Sequence, residues 1–402
     1  MSDPSREPVI VSAARTPIGK FLGGLAPLSA PELGAVAIKA AVTRAGIPAD
    51  QIEEVIMGNV IQGGVGQAPA RQAAIKSGVP ATVSALTVNK VCGSGLKAVM
   101  LASQAIKAGD RQVLIAGGQE SMSNAPYYLY GMRGGVKLGD QPLVDGMIKD
   151  GLWCAFCDVH MGGHAEYTAK KAGVSRAEQD EFAAASHRKA IAAQQAGKFK
   201  AEIAPVTIAG RKSPTVVDTD ESPRADTTAD SLAKLKPAFP GKGEAKDLTV
   251  TAGNASSLND GGAAVVVTSR AFAQAHGLPI LARITAYATG ATQPEDLFFA
   301  PITAVNNLMK KAGTKIDHYD LIEANEAFAS QALADGQGLG WKWDRVNVNG
   351  GAIALGHPIG ASGARVLTTL LYAMKDRGAR TGLATLCLGG GDAVALSVER
   401  EA

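Results

Sequence analysis

Thr87-Val88-Asn89-Lys90-Val91-Cys92-Gly93-Ser94-Gly95 is an extended run that breaks into a glycine-flanked cysteine turn and then opens a helix ending at Gly109-Asp110. Before it stands Asp50-Gln51-Ile52-Glu53-Glu54-Val55-Ile56, and after it Val113-Leu114-Ile115-Ala116-Gly117-Gly118. The same plan recurs further on. Asp317-His318-Tyr319-Asp320-Leu321-Ile322-Glu323 leads to Asn347-Val348-Asn349, a turn, a helical stretch over Gly360–Gly378, and Ala384-Thr385-Leu386-Cys387-Leu388-Gly389-Gly390. Strand, Val-Asn, turn, helix and a strand ending in glycines therefore occur twice, which marks an internal duplication.

β-rich runs at Pro8–Ala13, Glu54–Asn59, Val113–Gly117 and Ala263–Thr268 alternate with alanine-rich helical stretches at Pro31–Ala45 and Gly95–Ala108. That alternation predicts an α/β fold of βαβ units with a largely parallel sheet buried on both faces. From about Ser123 to Val250 the pattern turns longer and more polar, with a helix expected at Arg176–Gln195 and charges of both signs crowding 198–247. This stretch reads as an insertion serving as a substrate lid or an oligomer contact. The expected units are 1–122 and 251–278 as the two parts of an N-terminal half, 123–250 as the inserted loop domain, and 279–402 as the C-terminal half.

The 402 residues carry a formal charge of +3, with Lys and Arg scattered and not gathered in a stripe, so nucleic acid is not an expected partner. Four cysteines form no disulfide framework, no apolar run reaches the ~18–20 residues of a membrane span, and Met1 to Pro8 is polar with no signal-peptide core. A cytoplasmic, unprocessed protein is expected.

A lone cysteine is more often a buried structural residue than a nucleophile. Around Cys92, however, Gly93 and Gly95 keep the backbone approachable, and the helix start favours thiolate, which predicts a lowered thiol pKa. The second copy carries, where the first holds Cys92, the insertion Gly350-Gly351-Ala352-Ile353-Ala354-Leu355-Gly356-His357-Pro358. Halves packed about a pseudo-twofold then bring His357 to Cys92, as a base for the thiol or a donor to a carbonyl oxygen. Asn325, in Asn325-Glu326-Ala327-Phe328, is placed to hold a water or substrate carbonyl, or to cap the helix that follows. Cys387 gives a second thiol able to exchange a proton with a leaving thiolate or a carbon acid, and Gly389 an N–H for an oxyanion.

Trp153-Cys154-Ala155-Phe156-Cys157-Asp158-Val159-His160-Met161-Gly162-Gly163-His164 holds four potential metal ligands. A structural zinc site usually separates its Cys pair from its His pair by about a dozen residues. Here two residues lie between them, and no metal is expected. With no strand leading into the Cys-x-x-Cys, a thioredoxin-like role is not expected either.

Taken in order, the Cys92 motif, Asn325-Glu326-Ala327-Phe328, Gly350–Gly363 with Gly356-His357-Pro358, and Cys387-Leu388-Gly389-Gly390-Gly391 closely resemble the thiolases over essentially the whole chain. The resemblance implies duplicated βαβαβαββ halves in a five-layer α-β-α-β-α core with an inserted loop domain. It also implies acylation of Cys92, activation by His357 and proton exchange by Cys387. One oxyanion hole would be formed by His357 and an Asn325-held water, the other by the N–H groups of Cys92 and Gly389. Coenzyme A contacts are implied for Leu152, His160, Met161, Arg224, Phe239, Ala252 and Ser256, with Ala327 and Phe328 beside the acyl end. Acetyl-CoA, acetoacetyl-CoA and CoA would be the partners, with no cofactor, no membrane and a homotetrameric dimer of dimers.

The wording Val-Asn-Lys-Val-Cys-Gly-Ser-Gly is similar to biosynthetic, acetoacetyl-CoA thiolases, which implies a short-chain preference. Cys157-Asp158-Val159 and the bulky Leu297-Phe298-Phe299 depart from that pattern. A 3-ketoacyl-CoA thiolase of broader chain length, a β-ketoacyl synthase and a CoA-binding protein without turnover are the competing readings.

Overall fold

In the computed structural model, which describes residues 3–210, 212–239 and 248–401, the tail of the charged stretch 198–247 lies outside the described residues. The first half runs β1 (Pro8–Arg15), α1 (Ala30–Ala45), β2 (Glu54–Gly58), α2 (Pro69–Ser77), β3 (Ser84–Val88), α3 (Ser94–Ala108), β4 (Val113–Ser121). A long excursion holding α4 (Met161–Ala172) and α5 (Arg176–Gln195) precedes β5 (Asn259–Ser269). The second half runs β6 (Ala282–Ala291), α6 (Ala300–Ala312), β7 (Leu321–Ala324), α7 (Ala329–Leu339), α8 (Ile359–Arg377), β8 (Thr381–Leu388), β9 (Asp392–Glu399). The strand matching β3 has shrunk here to a single bridge between Ile322 and Val346.

Period-two alternation along the strands sorts side chains between layers. Leu114, Ala116, Val265 and Val267 face inward, onto Leu96 and Val99 of α3 and Val366 and Leu370 of α8; Leu386 and Leu396 close the same core from the other half. Their neighbours Val113, Ile115, Ala264 and Val266 face outward, against Ile38 and Ala41 of α1 and Ala70 and Ala73 of α2. In the second half Leu383, Ala393 and Ala395 pack on Ala304, Val305 and Leu308 of α6. The result is five layers, α-β-α-β-α, with α3 and α8 in the middle.

The strands form one continuous path, β7-β8-β9-β6-β1-β5-β4-β2-β3, joined across the halves where Val9 and Ile10 pair with Arg283 and Ala282. The expected largely parallel sheet is corrected: only β2–β3, β2–β4 and β7–β8 run parallel along this path. Each half ends by returning an antiparallel strand, β5 against β4 and β9 against β8, instead of adding another crossover helix. Among the described residues no helix is long and apolar enough to cross a membrane.

α3 and α8 cross at their N-terminal ends without side chains between them. A Cβ on Gly95 would lie 2.7 Å from Ala364 N, and one on Gly363 closer still to Leu96 N. Both ends are brought close by β4, where a Cβ on Gly118 would strike the carbonyl of Gly360.

The excursion is anchored to the core through charge. Arg15, fully buried on β1, meets Glu202 at 2.6 Å and Asp220 through two bonds of 2.6 and 2.9 Å. Removing one partner of such a buried network leaves charge uncompensated, at a cost of ~3–5 kcal/mol. Asp220→Asn is expected at the lower end, about 3 kcal/mol, since Glu202 still faces the guanidinium. Urea denaturation at neutral pH reads this, and a loss below about 1 kcal/mol would contradict the anchoring role.

Candidate active site

Cys92 stands at a strained corner. β3 ends at Val88, Val91 is forced to a φ of 45°, and Ser94 begins α3. Ser94 Oγ accepts the Lys90 N–H at 2.8 Å and donates to the Val91 carbonyl at 2.6 Å, holding the corner closed. A β-branched residue in the left-handed region persists only where its surroundings over-determine it.

The second half supplies a matching corner. Gly356 has a φ of 108°, the His357 N–H donates to Asn259 Oδ1 at 2.8 Å, and His357 Nδ1 lies 2.6 Å from Ser362 Oγ. Aligning Ser94-Gly95 with Ser362-Gly363 sets Gly360 in register with Cys92, and His357 with Asn89. The two corners open on one cavity of about 360 Å³, lined by Cys92, His357, Cys387 and Gly389.

Cys387 is buried near the end of β8, beneath Leu297, Phe298, Ala327 and Phe328. Burial, with Cys92 and Asp335 close by, pushes its thiol well above the ordinary range. Burial likewise pushes Cys92 up to about 12, against a downward pull from the N–H groups of Cys92 and Gly389. This corrects the expected lowered pKa: the helix start acts on the thiol, but exclusion of water outweighs it. His357 is lowered to about 3, by burial first and then by the Arg365 guanidinium. Thiol and imidazole therefore both face the cavity in their neutral forms.

Asn325 is fully buried behind His357, its Nδ2 3.5 Å from both ring nitrogens. Its Oδ1 has no hydrogen-bond partner among the described residues. It does not cap the following helix, which starts after Phe328.

Of the remaining expected residues, Leu152, His160, Met161, Phe239, Ala252, Ser256, Ala327 and Phe328 all line the cavity. Phe239, Phe298 and Phe328 form a chain of tilted and edge-on rings, with His160 stacked on Phe239 at 4.9 Å. Arg224 is not brought there: it lies beside α5, its N–H on His187 Nδ1 and its Nε on Thr227 Oγ1.

Sequence reasoning missed Glu120. Fully buried at the end of β4, its carboxylate accepts from Asn59 Nδ2 and from the N–H groups of Val60, Ile61 and Gly360. It ties the loop after β2 to the first turn of α8. An acidic residue directly after Gly117-Gly118-Gln119 was the available signal. Asn259, which fixes the His357 backbone, had none.

The N-terminal thiolase domain model matches residues 8–271 and the C-terminal thiolase domain model residues 278–400. Acetyl-CoA acetyltransferases of Pseudomonas aeruginosa and Cupriavidus necator are each 57% identical over 394 residues, spanning 98% of this chain and 99% of theirs. The crystal structure of the Bacillus anthracis acetyl-CoA acetyltransferase superimposes with a TM-score of 0.95 at 40% identity, covering 98% of this chain and 99% of that one.

A thiol held near 12 gains thiolate about tenfold per pH unit up to that value, where a free thiol levels off near ~8.5. Alkylation of Cys92 by iodoacetamide in the substrate-free enzyme is therefore expected to keep accelerating through about pH 10. A plateau below about pH 9, followed by mass spectrometry of the Cys92 peptide, would contradict the neutral pair.

Proposed function

This chain belongs to the thiolase family, and on that footing we propose that it is an acetyl-CoA C-acetyltransferase, interconverting two acetyl-CoA with acetoacetyl-CoA and CoA. The observation that carries this reading is the meeting of two thiols, an imidazole and the Gly389 turn in one cavity.

In the first half-reaction Cys92 Sγ attacks the thioester carbonyl as its proton passes to His357. The oxyanion is held by the N–H groups of Cys92 and Gly389, a kind of donor worth ~2.7–4 kcal/mol of barrier. CoA leaves as the thiol by taking the proton of Cys387, which becomes a thiolate, and acetyl-Cys92 remains beside the protonated His357. In the second, Cys387 removes the α-proton of a new acetyl-CoA whose carbonyl oxygen lies toward His357 and a water held by Asn325. The carbanion attacks acetyl-Cys92, the Cys92 sulfur departs, and acetoacetyl-CoA is released. Such positioned acids and bases contribute ~10²–10⁴-fold each. Because both thiols start neutral, Cys92 passes its proton to His357 as it attacks and takes it back as it departs, and Cys387 becomes a base only by protonating the leaving CoA. No cofactor enters this scheme.

The apolar wall suits the pantetheine arm of CoA, with Leu152, His160, Met161, Phe239, Ala252 and Ser256 along it and Ala327 and Phe328 at the acyl end. Arg224, outside the cavity, is read as a contact for the nucleotide end. Phe298 and Phe328, with ring centroids 5.3 Å apart, narrow the floor and favour a two-carbon acyl group over the broader range of β-oxidation thiolases. Cys387 favours reversible deprotonation of acetyl-CoA over the decarboxylation of a β-ketoacyl synthase.

Residues 1–122 with 251–278 are read as one half, 279–402 as the other, and 123–250 as a lid. Tyr127, Tyr130, Leu138 and Leu143, apolar and exposed on that lid, support a homotetramer. A cytoplasmic role in fatty acid metabolism is part of the same proposal.

Cys92→Ala is expected to abolish both acetyl-enzyme formation and thiolysis of acetoacetyl-CoA, whereas Cys387→Ser should keep acetylation and lose condensation by roughly 10²-fold or more. Intact-mass measurement after incubation with acetyl-CoA separates the two steps. Turnover retained in Cys92→Ala refutes the assignment. Thiolysis rates that rise from C4 to C6 and longer 3-ketoacyl-CoA substrates would favour the broader thiolase.

A further inference from the structure

Beside the cavity, and outside the chemistry above, the chain makes a two-residue hairpin in which Trp153-Cys154 pairs with Val159-His160. A strand does lead into the Cys-x-x-Cys, contrary to the sequence expectation. The hairpin turn puts Cys154 and Cys157 on the same side, and α4, starting at Met161, carries His164 back over them. The ligand atoms of Cys154, Cys157 and His164 lie within 4.8 Å of one another.

Two further features point the same way. His164 is 3% exposed, its Nδ1 lies 3.3 Å from the Glu295 carbonyl, and its Nε2 is buried with no hydrogen-bond partner among the described residues. A histidine that spends one ring nitrogen on a backbone carbonyl and leaves the other's lone pair unused has the arrangement of a metal ligand. The Cys157 N–H donates to Cys154 Sγ at 3.4 Å, an interaction that strengthens as the sulfur becomes thiolate.

We propose that Cys154, Cys157 and His164 form a binding site for a thiophilic divalent cation of the zinc class, bracing the hairpin against α4 at the rim of the substrate cavity. Two thiolates cancel the charge of a divalent ion, so a nearly buried site stays neutral, and the set holds no carboxylate that would suit calcium or magnesium. Binding releases the two thiol protons to solvent. Zn–S and Zn–N bonds of about 2.3 and 2.0–2.1 Å require the three groups to draw together by roughly an ångström, with water completing the tetrahedron. Cys157, half-buried, is the side from which the ion enters.

His160 is not a ligand. Its Nδ1 accepts the Gly162 N–H at 3.0 Å, capping α4, and its ring stacks on Phe239 in the cavity wall. The expectation of no metal rested on a pair-to-pair spacing in which His160 was counted. With His160 removed, the spacing is Cys-x2-Cys-x6-His.

The site borders the chemistry. Phe156, at the hairpin tip, lies against Gly390, where a Cβ would sit 3.3 Å from its ring, and Leu152, His160 and Met161 flank the hairpin on the cavity side.

The test uses the full chain carrying Cys92→Ala and Cys387→Ala, which leaves Cys154 and Cys157 as its only cysteines. Titrated with Co(II), it is expected to bind one equivalent, with thiolate-to-cobalt charge-transfer absorption and intense visible bands of a tetrahedral ion, both displaced by Zn(II). Adding Cys157→Ser, at the half-exposed position, should weaken binding roughly tenfold or more with the circular dichroism unchanged, and His164→Asn should do the same. In the unsubstituted protein, Zn(II) is expected to protect Cys154 and Cys157 from alkylation, as mapped by mass spectrometry. Absence of the charge-transfer band, an unchanged Co(II) affinity in Cys157→Ser, or alkylation of both cysteines despite Zn(II) would overturn the proposal. So would a Cys154–Cys157 disulfide, lighter by two hydrogens, that binds no metal after reduction.

Discussion

The crossing of α3 and α8 at Gly95 and Gly363 is the constraint on which the site depends. Each helix begins directly after a corner that carries a reactive side chain, so the separation of the helices fixes the separation of Cys92 and His357. Packed helices ordinarily lie 8–10 Å apart axis to axis. Only the absence of Cβ atoms at the contact lets backbone meet backbone here. Glu120 then locks the arrangement from the side, taking N–H groups from a loop of one half and from the first turn of α8 in the other. A single carboxylate thus bridges the duplicated halves at the level of the chemistry.

Much of this was legible in the residues. The helix Arg176–Gln195 was bounded correctly, because Ser175 and Glu178 form a capping box that fixes its start. The duplication was legible in the repeated Val-Asn, turn and helix plan, and the five layers in the resemblance that the four motifs carry. Strand direction was not legible, since a buried β-run reads the same whichever way its neighbour points. What decided it was that β4 and β5 pair across the whole excursion, a contact between residues far apart in sequence.

At the site, the signals that could be read were those concentrated in a turn: Cys92 between glycines, His357 beside Gly356 and Pro358, and Cys387 before Gly389. The properties that could not be read were those set by enclosure. A helix start predicts a lowered thiol pKa, and the magnitude of the opposing desolvation depends on which side chains roof the cavity. Asn325 looked equally suited to capping a helix, and only the tertiary structure places its amide behind His357. Arg224 sat in a segment whose course no local pattern constrains, and its guanidinium turned toward α5 instead of the cavity. Cys154, Cys157 and His164 were dismissed on linear spacing because a hairpin and a helix bring them together in a way that spacing does not encode.

The pairing of Ser121 with Asp260 has one more consequence. The chain leaves the sheet and comes back on the very next strand, so the stretch between Met122 and Leu258 is a single excursion entered and left at adjacent paired residues. Cys92, Asn325, His357, Cys387 and Gly389 all lie outside that excursion, while Leu152, His160, Met161, Phe239, Ala252 and Ser256 lie inside it. The cavity is thus composite: much of its wall comes from the excursion, while the thiols, the imidazole and the Gly389 turn come from the two halves, with Phe298, Ala327 and Phe328 of the second half completing the wall. Selection can redraw the outer part, lengthening, shortening or resurfacing it, without shifting the register of any strand that aims the reacting atoms.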